Sequence, residues 1–195
     1  MITLDAKNRI IVFKAEGHES ILGMVKQLGE GPDPKYAWYD SERRGPMFLI
    51  KRKDKHSGTA FILHQQLESV FKSTYRKFLK MYNSSGFSPR PNFIMTKIGP
   101  RENFMSHQDF NIDDPEDEIT GYVAVYYLND EFEGGELYFD DLDITYKPIA
   151  GTVIVFPVHL WHRIKTVDGT HRYTAMLVVE KYSDISLAST KDLWP

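Results

Sequence analysis

From about residue 92 onward, the chain is a succession of short segments rich in Val, Ile, Tyr, Phe and Thr, separated by turn signals. These signals include Gly-Pro at 99–100, Gly-Gly at 134–135 and Asp-Gly at 168–169. Several short strands at this spacing, with few helical patterns between them, are typical of an antiparallel sandwich or barrel. The predicted strand segments are 91–99, 120–129, 135–146, 151–157, 162–167 and 171–182.

Two helical patterns precede these segments, at 19–28 and 65–83. In the second pattern, large apolar side chains recur at spacings of three and four, which places them on one face of a helix. We expect that face to pack against the outer side of a sheet. Its members are Leu67, Phe71, Tyr75, Phe78 and Tyr82. The predicted fold class is therefore mainly β with N-terminal helices (α+β).

The length of 195 residues favours a single domain over 1–195. Within it, the change in periodicity near residue 91 separates two zones. We expect residues 1–90 to be a helical and strand support region, residues 91–182 to be a jelly-roll core, and residues 183–195 to be a C-terminal tail.

The composition narrows the classes of function. A net charge of −3 gives no global reason to expect binding to nucleic acid or to an acidic membrane. The chain has no cysteine, which excludes disulfides, thiolate zinc sites and cysteine nucleophiles. The charged N-terminus is not a secretory signal, and no run approaches the roughly 18 apolar residues of a membrane span. We therefore expect a cytoplasmic protein without a membrane segment.

Two basic clusters stand out against the negative total. Lys72, Arg76 and Lys80 follow one another at i, i+4 and i+8 on the second predicted helix, and a basic run occupies 51–55. A surface for a phosphate backbone or an acidic partner is one interpretation. We favour a solvated helix face and an exposed turn, because the protein as a whole is acidic.

A histidine and an aspartate two residues apart, His107 and Asp109, lie near the start of the β-rich zone. In an extended strand, residues i and i+2 project to the same face, so both side chains can reach one metal ion. An imidazole and a carboxylate suit divalent iron, manganese, cobalt or zinc. Two ligands are too few for tight binding, and the candidates for a third are His159, His162 and His171.

Arg172 follows His162 by ten residues, beyond the Asp-Gly turn. We expect the segments 162–167 and 171–182 to form a hairpin, with Arg172 near the His162 end. An arginine directed into an apolar pocket is costly unless it meets an anion, and a carboxylate matches its planar fork of donors. The pattern therefore predicts a metal ion with a carboxylate site beside it.

In this order, these features make residues 93–181 resemble the Fe(II)/2-oxoglutarate-dependent dioxygenases, in particular the prolyl-4-hydroxylase-like group. His-Gln-Asp at 107–109 is similar to the H-x-D motif of that family. YYLNDEFEGGELYF at 126–139 is similar to its Y-L-N and G-G-x-L strand pair, and GTVIVFP at 151–157 to the strand before its distal histidine.

The resemblance implies a double-stranded β-helix (jelly-roll, cupin-like) core that uses Fe(II), 2-oxoglutarate and O2, with ascorbate as a further candidate. It implies that His107, Asp109 and His162 hold the iron, with His159 as the rival to His162. The implied reaction is hydroxylation of an unactivated C–H bond, with decarboxylation of 2-oxoglutarate to succinate.

The resemblance also implies a site for 2-oxoglutarate. Arg172 would bind its C5 carboxylate, Tyr127 would direct a hydroxyl to the same carboxylate, and Leu137 would be an apolar wall. Many relatives have a tyrosine in a Tyr-x-x-Gly pattern shortly before the H-x-D motif, where this chain has Thr96-Lys97-Ile98-Gly99. Either Thr96 supplies a shorter hydroxyl on that side of the pocket, or the contact is missing.

A prolyl or other side chain of a peptide or protein is the leading substrate class that the resemblance implies. A free amino acid or small metabolite and, less favoured, a nucleic acid are alternatives, as is a non-redox cupin-like module that only binds metal. Trp161 is a candidate for the substrate mouth, or a packed aromatic. We interpret the acidic segment 111–119 as a solvated loop, with attraction of a basic substrate as the alternative. The sequence does not determine the oligomeric state.

Overall fold

The structure, a computed structural model, describes residues 1–41, 45–51, 58–83, 86–90, 92–109 and 120–181. Three features singled out in the sequence lie outside these residues. They are the predicted tail at 183–195, the acidic segment at 111–119 and most of the basic run at 51–55.

The described residues form two helices, α1 (His18–Gly29) and α2 (Gly58–Met81). The strands that precede the H-x-D motif are β1 (Ile2–Asp5), β2 (Ile10–Lys14), β3 (Tyr39–Ser41), β4 (Gly45–Lys51), β5 (Phe87–Pro89) and β6 (Asn92–Ile98). The later strands are β7 (Phe104–His107), β8 (Gly121–Tyr127), β9 (Glu133–Gly134), β10 (Leu137–Phe139), β11 (Ile144–Tyr146), β12 (Thr152–Pro157), β13 (His162–Ile164), β14 (Val167–Asp168) and β15 (Arg172–Lys181).

Two antiparallel sheets enclose a core between them, which confirms the predicted double-stranded β-helix, or jelly-roll. The major sheet has the strand order β1-β2-β12-β8-β15-β6-β4-β3, and β5 pairs with β15 outside this path. The minor sheet has the order β11-β10-β13-β7, and β14 pairs separately with β9. Side chains from both sheets, among them Val125, Leu137 and Phe156, form one apolar cluster.

The central strands β8 and β15 are buried on both faces, which explains why their sequences are almost unbroken apolar runs. Alternate residues pack beneath the helices, and the residues between them face the minor sheet. The residues beneath the helices include Tyr122, Ala124, Tyr126, Tyr173, Ala175 and Leu177. The alternation in β15 therefore turns Arg172 and Thr174 into the space between the sheets.

Helix α2 covers the outer face of the major sheet, as its apolar stripe predicts. Phe71 stacks on Phe93 of β6, with ring centroids 5.6 Å apart and an interplanar angle of 14°. The Tyr75 hydroxyl lies 3.1 Å from the carbonyl oxygens of Tyr122 and Leu177, on adjacent strands. The helix begins at Gly58 rather than at residue 65, because Ala60 and Leu63 continue the buried stripe.

The predicted hairpin between 162–167 and 171–182 is wrong. β13 pairs with β10 and β7 in the minor sheet, whereas β15 pairs with β6 and β8 in the major sheet. The chain crosses from one sheet to the other through the turn that contains Gly169. As a result, His162 and Arg172 reach one interior space from opposing sheets.

No helix in the described ranges combines the length and apolar character needed to cross a membrane. The cytoplasmic location stays a prediction.

Phe71→Ala tests whether α2 is an integral part of this core. Phe71 is fully buried against Phe93 and Tyr126, so truncation should lower the free energy of unfolding by about 3–5 kcal/mol. Urea denaturation followed by circular dichroism measures this change. Ser73→Ala, on the exposed side of the same helix, is the control and should change stability by less than about 0.5 kcal/mol. Equal effects of the two variants would contradict the packing of α2.

Candidate active site

A cavity that opens to solvent lies between the two sheets. Its polar side chains form two groups. The first group contains His107, Asp109 and His162, and the second contains Thr96, Tyr127, Arg172 and Thr174. The wall is otherwise apolar and consists of Ile98, Phe104, Val125, Leu137, Phe156, Ile164 and Met176.

The first group brings together the predicted pair and one of the three candidate histidines. β13 pairs with β7 so that His162 lies opposite His107. Asp109 Oδ1 is 3.8 Å from His107 Nε2, and Asp109 Oδ2 is 3.5 Å from His162 Nε2. Ligand atoms that share one ion at about 2.0–2.2 Å lie within about 4.4 Å of one another, so both separations fit a shared metal. One ligand atom from each of the three residues lies within 4.8 Å of the others.

Each of the two histidine rings is oriented by a hydrogen bond to the backbone carbonyl two residues before it. His107 Nδ1 lies 3.0 Å from the Met105 carbonyl oxygen, and His162 Nδ1 lies 2.8 Å from that of Leu160. A carbonyl oxygen only accepts, so each Nδ1 carries the proton and donates it. In a neutral ring with the proton on Nδ1, Nε2 has a lone pair that is available to a metal beside Asp109.

The turn between β12 and β13 holds the aspartate in place. The Asp109 backbone N–H donates to the Val158 carbonyl at 2.9 Å, and the Gln108 side-chain amide donates to the His159 carbonyl. The Asp109 side chain itself is fully buried. His159 lies in this turn and not in a strand, and burial lowers the pKa of its ring. It contacts the H-x-D motif through its backbone and does not line the cavity.

The second group is built around Arg172, the first residue of β15. Its side chain is buried, and its Cζ lies 5.0 Å from the centroid of the Tyr127 ring. Burial lowers the pKa of Arg172, although the group stays charged at neutral pH. Burial also raises the pKa of Tyr127 to about 12, and the guanidinium charge opposes part of this shift.

Arg172 Nε and the Tyr127 hydroxyl are both buried without a hydrogen-bond partner among the described residues. The two groups lie close enough for each to shift the pKa of the other. Buried donors without acceptors are costly, particularly on a charged group. A ligand with a carboxylate would supply the missing acceptors.

Two threonines complete this second group. Thr96 on β6 lies opposite Thr174 on β15, and their hydroxyls hydrogen-bond to each other. Thr96 is a predicted site residue, whereas Thr174 was not predicted. The Arg-x-Thr spacing was the available signal, because residues i and i+2 of a strand share one face.

Of the remaining residues that the sequence singled out, one lines the cavity and two do not. Leu137 lines the cavity between the sheets, as expected of an apolar wall. Trp161 does not line it, and the side chain is 43% exposed on the surface next to His162. His171 also stays outside the cavity, because strand alternation turns it away from Arg172.

Residues 93–179 match a family model described as the 2OG-Fe(II) oxygenase superfamily. No curated protein matches the chain. The match starts in β6 and ends in β15, so it includes every residue of the two polar groups.

Solved structures share the architecture. A prolyl-4-hydroxylase from Pseudomonas putida superimposes with a TM-score of 0.66 at 17% identity, over 91% of this chain and 95% of that one. The collagen prolyl hydroxylase of Paramecium bursaria Chlorella virus-1, in a 2OG complex, gives 0.62 at 14%, over 90% and 97%. A Trichoplax adhaerens prolyl hydroxylase, in complex with a hypoxia inducible factor peptide fragment, gives 0.59 at 16%, over 89% and 84%. At these identities, the likeness establishes the fold.

Gly135 lies directly against Arg172. Its φ of +65° is in the left-handed region, and its N–H donates to the Thr166 carbonyl at 2.9 Å. A Cβ at this position would lie 3.2 Å from Arg172 Cδ and 2.9 Å from a ring carbon of Phe132. A side chain here would therefore push on the arginine as well as strain the backbone.

Gly135→Ala should destabilise the protein more than Gly169→Ala does. Gly169 also has a positive φ, of +81°, but nothing lies within 4 Å of the position of its added Cβ. The control should therefore lose only the cost of the left-handed backbone, roughly 1–2 kcal/mol. Gly135→Ala should lose roughly a further 1–3 kcal/mol from overpacking. Chemical denaturation measures both losses, and equal values would contradict close packing around Arg172.

Proposed function

We propose that the chain is a 2OG-Fe(II) oxygenase, which the family match at residues 93–179 supports, and that it hydroxylates a C–H bond in a peptide or protein side chain, first of all a prolyl side chain. The observation that carries the proposal is a single cavity with two polar groups. One group consists of three metal-ligating side chains, and the other contains a buried arginine and tyrosine with unsatisfied donors.

In this proposal, His107, Asp109 and His162 are the metal ligands. Two imidazoles and one carboxylate are a ligand set that would hold Fe(II). The carbonyl oxygens of Met105 and Leu160 fix the orientation of the two rings. The triad is therefore organised by hydrogen bonds that do not depend on the metal.

Arg172 is proposed to bind the C5 carboxylate of 2-oxoglutarate, with Tyr127 and the two threonine hydroxyls beside it. When bound, Fe(II) and 2-oxoglutarate supply the oxidising chemistry, in which O2 is consumed, 2-oxoglutarate becomes succinate and CO2, and one oxygen atom enters the substrate. The guanidinium and the Tyr127 hydroxyl anchor one end of the cosubstrate. The apolar wall, including Leu137, excludes water from the space between that anchor and the triad.

The donors at the Arg172 end argue against a module that only binds metal. Such a module has no use for a buried cation with unsatisfied hydrogen-bonding capacity, because burial of that cation costs free energy. A dicarboxylate cosubstrate accounts for both polar groups in one ligand. The Arg172 end of the cavity thus supports the oxygenase over the non-redox alternative.

The charge inventory of the cavity supports a peptide side chain over a free amino acid. Among the described residues that line it, Arg172 is the only cation and Asp109 the only carboxylate. Both are assigned to cosubstrate and metal, so no partner remains for the ammonium and carboxylate of a free amino acid. A prolyl residue within a peptide carries neither charge and suits the apolar wall.

The exposure of the three ligands indicates where a substrate enters. The His107 side chain is 26% exposed, compared with 5% for His162 and 0% for Asp109. The open side of the triad is therefore at β7. The basic stripe of Lys72, Arg76 and Lys80 lies on α2, on the far side of the major sheet, so it does not favour a nucleic-acid substrate at this mouth.

An anaerobic titration separates the two polar groups. Fe(II) followed by 2-oxoglutarate should produce a visible absorption band that requires both additions. His162→Ala should remove the band by weakening metal binding more than about 100-fold, since changes to outer-shell partners alone cost about 10–100-fold. Arg172→Gln should keep the metal but require about 10- to 100-fold more 2-oxoglutarate, as expected for a lost charged hydrogen bond.

His171→Ala and Arg163→Gln are the matched controls for this titration. His171 does not line the cavity, and Arg163 lies on the outer face of the minor sheet, with its Nε 3.3 Å from Asp140. Both variants should behave like the wild type. A wild-type protein that binds metal but never gives the band would favour the metal-binding module instead.

Mass spectrometry tests the substrate class. Proline-containing peptides, free proline and other free amino acids are each incubated with the enzyme, Fe(II) and 2-oxoglutarate in air. We expect a one-oxygen gain in a peptide together with succinate formation, and neither product with Arg172→Gln at low 2-oxoglutarate. An oxygen gain in a free amino acid but in no peptide would contradict the proposed substrate class and leave the oxygenase proposal intact.

A further inference from the structure

The ladder between β8 and β15 becomes irregular next to Arg172. Tyr127 and Thr174 form its last regular pair on this side. One step further, the Leu128 N–H donates to the Tyr173 carbonyl at 3.1 Å. In an antiparallel ladder, two opposite residues of this kind exchange both bonds, so the Tyr173 N–H would donate back to the Leu128 carbonyl. In this protein it donates to a side chain.

That side chain is Asn129. Its Oδ1 accepts from the Tyr173 N–H at 2.9 Å, and its Nδ2 donates to the His171 carbonyl at 2.9 Å. A carboxamide offers the same donor and acceptor as a peptide group, so one side chain continues the sheet in place of the backbone. Asn129 is itself buried, at 5% exposure, and the two bonds use both ends of its amide.

The two bonds fall on the residues immediately before and after Arg172. On the β6 side, Arg172 pairs with Ile98. On the β8 side, this end of β15 is held by the hydrogen bonds that Leu128 and Asn129 form with the neighbours of Arg172. The guanidinium has no hydrogen-bond partner for Nε among the described residues. Its position therefore depends on where the backbone is held and on the packing of Tyr127 and Gly135.

We propose that Asn129 is a positioning residue for the 2-oxoglutarate site. It clamps the backbone on both sides of Arg172 and so sets where the guanidinium meets the cosubstrate carboxylate. The inference rests on the proposed function, in which Arg172 binds that carboxylate. Asn129 does not line the cavity, so it acts through Arg172 and not by touching the ligand.

Isothermal titration under anaerobic conditions tests the proposal with Mn(II) as the metal. The dissociation constant of Mn(II) is measured first, and that of 2-oxoglutarate on the Mn(II)-loaded protein second. Asn129→Ala should weaken 2-oxoglutarate binding about tenfold, the effect of two lost hydrogen bonds, and leave Mn(II) binding unchanged. In turnover with a peptide substrate, KM for 2-oxoglutarate should rise while kcat at saturation is kept.

Thr170→Val is the matched control. The Thr170 hydroxyl donates to the Glu131 carbonyl at 3.1 Å, so it joins the same two loops without flanking Arg172. This variant should bind 2-oxoglutarate like the wild type. Asn129→Asp is the second variant, in case Asn129→Ala does not fold. It keeps the acceptor for Tyr173 but loses the donor to His171, and it should also weaken 2-oxoglutarate binding severalfold.

The outcomes separate this inference from the proposed function. If Arg172→Gln weakens 2-oxoglutarate binding but the folded Asn129 variants stay within about twofold of the wild type, the positioning role is overturned and the proposed function stands. Parallel weakening of Mn(II) and 2-oxoglutarate binding also overturns it, because that indicates a general structural loss. If the wild type binds no 2-oxoglutarate, or Arg172→Gln binds it equally well, the proposed function itself fails.

Discussion

The register of β15 between β6 and β8 is the constraint on which the rest of the structure depends. With this register, Arg172 and Thr174 face the cavity, while Tyr173 and Ala175 pack beneath the helices. A slip of one residue would exchange the two sets, since side chains alternate along a strand. It would bury the arginine under α2, where no anion can reach it, and place Tyr173 in the cavity. Fold and site are therefore specified by the same pairing.

The packing of the helices offsets the free-energy cost of burying polar groups on the inner face of the major sheet. α2 covers the outer face of the major sheet with a continuous aromatic layer, and the Tyr75 hydroxyl reaches carbonyl oxygens of both β8 and β15. Burial of this layer stabilises the sheet, whereas on the inner face Arg172 Nε and the Tyr127 hydroxyl are buried without an acceptor in the described part of the chain. Local polar costs of this kind concentrate at functional sites and are offset elsewhere in the fold.

The two halves of the site belong to different sheets. The histidines of the triad come from β7 and β13 of the minor sheet, and the Arg172 group comes from β6, β8 and β15 of the major sheet. Neither sheet alone contributes both polar groups of the cavity. The proposed chemistry therefore depends on two sheets packed face to face, which the crossing between β13 and β15 makes possible.

Local patterns in the sequence by themselves predicted the main strand segments from β6 onward, the apolar face of α2, the His107–Asp109 pair and Arg172 as a candidate carboxylate site, because each depends on residues close together in the chain. The strands β1 to β5 were not predicted. The family resemblance selected His162 over His159, and the structure brings His162 to the pair. Only the tertiary structure decided which strands are neighbours. An Asp-Gly dipeptide predicts a turn but not the sheet that the next strand joins, so the expected hairpin of β13 and β15 was wrong. The contact between Thr96 and Thr174 and the Asn129 clamp could not be predicted either, because contacts between distant segments leave no periodicity in the sequence.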